Sequence, residues 1–304
     1  MSEAPPVTIV FLGATPSSRS ALERLRPAGL LGEGRELLVV GDAELTLPDS
    51  LGTVRFVKRT GRRAHDINTA LHEARGVHAL LLDETLSCEE KYVDALLHEA
   101  RQSVRIVAVA PKIMRSAGLL AAVGAGMGPG YRWYDRGGGE IDRGQYDENR
   151  ELYAVTLLGC LVRVSWFRSG PGLDPLYATS YADIELSISA LLSGYRLRYA
   201  PGARASRPAG GPGDDRNPTP PNPLAEWDRL FLLARRYPDI LPRALLDVAS
   251  HLEVGGDARE KLSVLLAAWG PLAHQPERRA QFLREIEQDP SRLGSLSRIL
   301  EAAD

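Results

Sequence analysis

The sequence predicts an α/β fold, a Rossmann-type mixed and mostly parallel sheet flanked by helices, followed by an all-helical tail. Three observations predict it. Short apolar, β-branched runs alternate with helically spaced segments over residues 7–110, a stretch dense in Pro, Gly and Asp follows at 207–223, and helical spacing alone fills the rest.

Residues 7–12 (VTIVFL) read as a buried strand ending at Gly13, and 18–26 as the helix that follows. Residues 36–40 (ELLVV) and 54–58 are the next strands, 66–74 a helix and 79–82 (ALLL) a fourth strand. Ser87 and Glu90 spell a capping box before a helix with Val93, Leu96, Leu97 and Ala100 on its apolar face, and 104–110 (VRIVAVA) is a strand. Parallel strands need such crossovers, and in sheets of this kind ligands bind beyond the carboxyl ends of the strands. Residues just after Gly13, Val40 and Leu82 are therefore the places to look.

Residues 124–150, rich in Gly and aromatic side chains, are too long for an ordinary connection and read as a loop that is either functional or disordered. Regular structure returns at 153–164, then a helix at 181–193 with Ile184, Ile188, Leu191 and Leu192 on one face, Gly194 as its C-cap, and a strand at 195–199. The domains expected are residues 1–207, a linker at 208–223, and a helical domain at 224–304 built from segments near 224–236, 241–252, 258–269, 276–286 and 291–302.

Thirty-seven basic residues against 39 acidic ones give a formal charge of -2, so no global field draws nucleic acid or an anionic membrane. Cys88 and Cys160 form no CxxC pair and read as two buried thiols. No apolar run reaches the roughly 18 residues of a membrane span, and no signal-like segment opens the chain, so a cytoplasmic protein is expected. The six histidines make no HExxH spacing, no serine stands in a GxSxG elbow, and the glycines at 124, 126, 128 and 130 lack a preceding buried strand.

Three stretches taken in order resemble the nucleotide-sugar-binding (GT-A) fold of family-two glycosyltransferases, from about residue 7 to residue 207. Asn68, Ala70, Leu71, Ala74, Arg75 and Gly76, followed by ALLLDE at 79–84, resemble the family's helix and the strand that ends in its acidic metal-binding motif. VAVAPKI at 107–113 is similar to its strand and Pro-Lys turn. VTLLGCLVR at 155–163, Gly172-Leu173-Asp174, YADIEL at 181–186 and GYRLRYAPGA at 194–203 resemble its acceptor-side half. The resemblance implies transfer of a sugar from a nucleoside-diphosphate donor to an acceptor hydroxyl, with inversion, and a divalent metal, Mn or Mg, at the diphosphate.

Such transfer needs a carboxylate to take the acceptor's proton and positive charge for the leaving diphosphate. The resemblance puts Asp183 at the base, with Glu185 at the family's last acidic position and Ala182 where its glutamate stands. Ser180 and Asp183 equally spell a capping box. For the metal, one register puts Asp83 at the first acidic position and Thr85 at the second, and another makes Glu84 the last acid. A solvated strand exit is the alternative for both. Arg207 stands where the family often has a metal-binding histidine, and arginine cannot ligate. Arg207 with Lys112 would then supply fixed charge to the diphosphate, which leaves metal-independent activity open. Asp42 falls near the nucleoside contact, or is a turn aspartate within GDAELT. Trp133, Tyr134, Asp142, Gln145 and Tyr146 would stack on a sugar acceptor or else pin their loop. The eroded motif also fits a donor-binding scaffold without catalysis, and the helical tail is the surface expected for self-association or acceptor docking.

Overall fold

The computed structural model describes residues 7–207 apart from 16–17, 27, 33, 43–50, 52–53, 116–117, 129–131 and 178, and residues 223–241 apart from 239, with backbone only for 223–227. The chain divides into two compact units, Met1–Met127 with Trp133–Pro220, and Gly128–Arg132 with Pro221–Asp304.

In the first unit, β1 (Val7–Ala14), β2 (Arg35–Gly41), β3 (Val54–Lys58) and β4 (His78–Leu82) run parallel in the order β4-β1-β2-β3. Every residue of β4 is buried and so are the first five of β1, which is why these strands read as continuous apolar runs. The crossovers are α1 (Arg19–Arg24) and α2 (Arg63–Glu73). Val7, Ile9 and Phe11 share one core with Leu22 and Leu25 from α1 and its end, and with Leu96 and Leu97 of α3 (Tyr92–Ala100). Gly76 turns α2 into β4 where a Cβ would stand 2.5 Å from the Thr8 nitrogen, so no larger residue fits there.

The other half of the sheet is mixed. β6 (Ile106–Met114) pairs parallel with the long β12 (Arg196–Ser206), while β11 (Leu161–Arg163) enters antiparallel between β4 and β6. β10 (Arg150–Leu152) completes the row β10-β12-β6-β11-β4-β1-β2-β3, with β5 (Ser87–Cys88) on β12 and β7 (Leu120–Ala122) on β6. Helices α4 (Val164–Ser169) and α5 (Tyr181–Leu192) follow β11, and Gly194 closes α5 at φ 78°.

Several expectations change. Ser87 opens no helix: its backbone pairs with Ser206 of β12, and α3 starts only after Lys91. Long-range pairing overrides the local capping signal. Of the regular structure expected at 153–164, a strand forms only at β11, because Gly159 turns the chain at φ 83° and its N–H goes to the Leu81 carbonyl. The strand expected at 195–199 continues to Ser206, with a register shift between Ala200 and Arg204. Within the glycine-rich segment, β8 (Ala125–Met127) pairs antiparallel with β9 (Trp133–Asp135). Gly124 takes φ 98°, and Gly126 lies under the Tyr134 ring, where a Cβ would collide.

In the second unit, α6 (Pro223–Arg236) falls where the first tail helix is expected, with Leu230, Leu232 and Leu233 buried. The linker at 208–222 and the four expected segments from 242 onward lie outside the described residues. Among the described residues no helix is long and apolar enough to cross a membrane.

Candidate functional site

The carboxyl ends of β1 to β4 form one edge of the sheet, and the acidic residues there are each held by a specific neighbour. Asp83 follows β4 and folds into a local turn, its Oδ1 accepting from the Thr85 N–H at 2.9 Å and the Thr85 hydroxyl at 2.6 Å. Glu84 instead reaches to the β1 exit, where its Oε2 accepts from Ser18 Oγ at 2.6 Å. Asp42 follows β2, donates its N–H to the Ala14 carbonyl at 3.0 Å, and accepts from Arg59 Nε at 2.5 Å.

Asp183 is fully buried on the first turn of α5. Ser180 makes no side-chain cap, and the Asp183 carboxylate is not spent on its own helix. Arg63, the first residue of α2, grips it with both ends of its fork, Nη1 to Oδ1 at 2.7 Å and Nη2 to Oδ2 at 2.6 Å, while the Leu157 N–H donates to Oδ2 at 2.8 Å. Local chemistry aims Arg63 there. Asp66 accepts from the Thr60 N–H and hydroxyl and from the Gly61 N–H, which fixes the turn leading into α2. Burial works against the Arg63 charge, but the attraction and hydrogen bonds of Asp183 and the nearby charge of Asp83 outweigh it, so the guanidinium is held above its ordinary pKa.

Two stretches that carry the family resemblance also meet directly. Asn68 Nδ2 donates to the Leu173 carbonyl and Asn68 Oδ1 accepts from the Leu173 N–H, both at 2.8 Å. Arg63 carries no motif signal in the sequence; the double arginine at the start of the Asn68 helix is the available hint.

Lys112 lies elsewhere in this scheme. Its ammonium is wholly buried and donates to both oxygens of Asp142, at 3.0 and 2.9 Å, and to Asp147 at 2.5 Å. These bonds, opposed by burial, hold the Asp142 carboxyl below its ordinary pKa. Tyr146 joins the same anchor: Tyr199 donates to its carbonyl at 2.9 Å, and Arg136 and Arg150 lie over its ring. Gln145 bonds Glu140 and the Ile141 carbonyl. Asp142, Gln145 and Tyr146 therefore pin the segment, whereas Tyr134 of β9 is about half exposed. Arg207 follows β12 with its N–H on the Met114 carbonyl, its buried Nε has no partner, and its charge acts on Tyr92.

Among the described residues no three His, Cys, Asp or Glu side chains are grouped to hold a metal. The donors present are the adjacent carboxylates of Asp83 and Glu84, each anchored through one oxygen.

No family model matches the chain, and no curated protein matches it. Solved structures do. A crystal structure of GalNAc-T7 with UDP, GalNAc and Mn2+ superposes at a TM-score of 0.59 with 11% identity, over 86% of this chain and 54% of that one. The chain thus spans about half the length of that neighbour. At this identity the likeness is one of architecture, and the first unit carries a GT-A-like mixed α/β fold.

Proposed function

We propose that this chain binds a nucleoside-diphosphate sugar at the carboxyl edge of β1 to β4 and transfers the sugar to an acceptor hydroxyl with inversion. The observation that supports it is the two-pronged grip of Arg63 on Asp183, which ties the start of α5 to the start of α2 at the edge where open α/β sheets bind ligands. In the reaction, the acceptor oxygen forms a bond to the anomeric carbon as the carbon's bond to the diphosphate oxygen breaks. The acceptor proton passes to the Asp183 carboxylate, and the diphosphate leaves with the electron pair. Asp83 and Glu84 would hold a divalent cation, Mn or Mg, which when bound offsets charge on the diphosphate. Arg207, with a buried unpartnered Nε, supplies fixed charge on the β12 side; Lys112 is already matched by two carboxylates and serves the anchor. Asp42 is assigned to the nucleoside end. The segment from residue 224 is assigned to self-association or acceptor docking.

A second reading, donor binding without transfer, is favoured by one observation. Asp183 has no exposed surface, and Arg63 occupies both its oxygens. The test is calorimetric titration with UDP- and GDP-sugars in Mn2+ and in EDTA, paired with an assay for nucleoside diphosphate released in the presence of sugar acceptors. Binding with release that Asp183→Asn abolishes supports transfer. Binding without release supports the second reading, and absence of binding to every donor overturns both.

A further inference from the structure

We propose that Asp183 and an incoming diphosphate compete for Arg63, so that the guanidinium binds the diphosphate and, in turning to it, leaves the Asp183 carboxylate open to a proton. The inference rests on the donor-binding reading above and names the residue that links donor to base.

A carboxylate offers about four lone-pair sites. In Asp183 three are taken, two by the Arg63 fork and one by the Leu157 N–H, and the side chain has no exposed surface. As it stands the carboxylate has no face to offer an acceptor hydroxyl. Whatever opens it must act on Arg63, because the Leu157 contact is fixed backbone.

Arg63 is built to be moved. Its side chain, on the first residue of α2, keeps 34% of its surface exposed, whereas Asp183 keeps none. The planar fork that fits a carboxylate fits two phosphate oxygens equally well, and a diphosphate carries more charge than one aspartate. Losing Arg63 does not leave Asp183 adrift: the Leu157 N–H holds Oδ2, and the first turn of α5 favours the negative charge. Lys112 makes the contrast, with no exposed surface and two carboxylates to satisfy, so no diphosphate can draw it out. Arg63 is thus a donor-binding residue and, for Asp183, a positioning residue.

The experiment titrates UDP, inorganic pyrophosphate and uridine into the wild-type full chain and into Asp183→Asn, Arg63→Lys and Arg63→Ala, with melting temperatures of the free proteins alongside. Competition has a sign that a structural strut lacks. If Asp183 holds Arg63 about nine-tenths of the time, removing its charge tightens UDP and pyrophosphate about tenfold. Arg63→Ala weakens both by about 30-fold or more, and Arg63→Lys, which keeps the charge and loses the fork, falls between. Uridine affinity stays constant throughout. Asp183→Ser, which keeps an acceptor for the Leu157 N–H, repeats the first arm if asparagine prevents folding. Wild type binding UDP while neither Asp183 variant binds it more tightly, or all ligands weakening in step with melting temperature, overturns the competition alone. Folded wild type and Asp183→Asn that both fail to bind UDP or GDP at millimolar concentration, with or without Mn2+, sink the donor-binding reading beneath it.

Discussion

Two cations in the first unit are gripped by aspartates, and they differ in stoichiometry and in access to water. Lys112 is wholly buried and serves Asp142 and Asp147 together, which ties β6 to the segment after β9. Arg63 is one-third exposed and serves one fully buried carboxylate, tying α2 to α5. A cation with surplus partners and no exit works as a strut. A cation with a single buried partner and an open flank works as a contact that a ligand can take over. Ion pairing alone would not have separated the two; exposure and partner count do.

The largest expected effect tests the strut. Lys112→Met takes the ammonium from Asp142, 12% exposed, and leaves the half-exposed Asp147 with Arg204 at 3.5 Å, and removing one partner of a buried pair costs about 3 kcal/mol. Urea unfolding followed by far-UV circular dichroism measures it. A loss below about 1 kcal/mol, the range of surface pairs, would mean that water reaches the site and that the contrast with Arg63 is empty.

Arg63→Met is expected to cost less, about 1–3 kcal/mol, because the Arg63 side chain is one-third exposed, so solvent can reach the gap, and the Leu157 N–H still satisfies one oxygen of Asp183. The same unfolding measurement serves, and the double variant Arg63→Met with Asp183→Leu should recover most of the loss. If Arg63→Met proves costlier than Lys112→Met, the order of the comparison is reversed and Arg63 belongs with the struts.

The N-terminal half of the sheet was legible because β1, β2 and β4 carry continuous apolar runs with a glycine near the end of β1 (Gly13) and just before β4 (Gly76). There, sequence neighbours are spatial neighbours. The second half was not, since its order depends on contacts that no window contains: Ser87 with Ser206, Gly159 with Leu81, Lys112 with Asp142. The site divides the same way. Asp83, Glu84 and Asp183 were readable as acids at element ends through their likeness to a family pattern. Their partners Thr85, Ser18 and Arg63 carry no pattern, and the last lies 120 residues from the carboxylate it holds. Lys112 was expected beside Arg207 as fixed charge at the diphosphate, yet in sequence nothing marks Asp142 and Asp147 as its counter-charges.

The smallest expected effect is the acid response of the strut. The Asp142 carboxyl is held below its ordinary value by hydrogen bonds from Lys112, against the opposing pull of burial, with help from the Gly144 N–H and the charges of Lys112 and Arg204. A carboxyl with a depressed folded pKa stabilises the fold fully above its unfolded value, about 3.9, and loses that contribution as pH falls through the lower folded value. The anchor should therefore stay intact at pH 5 and loosen only below about pH 4. Near-UV circular dichroism reports it, because Tyr199 donates to the Tyr146 carbonyl within the anchored segment. Asp142→Asn should remove that acid step, since the asparagine has no proton to gain there. A step that survives the substitution unchanged would assign the transition to another carboxylate, with Asp147, almost half exposed beside Arg204, the next to test.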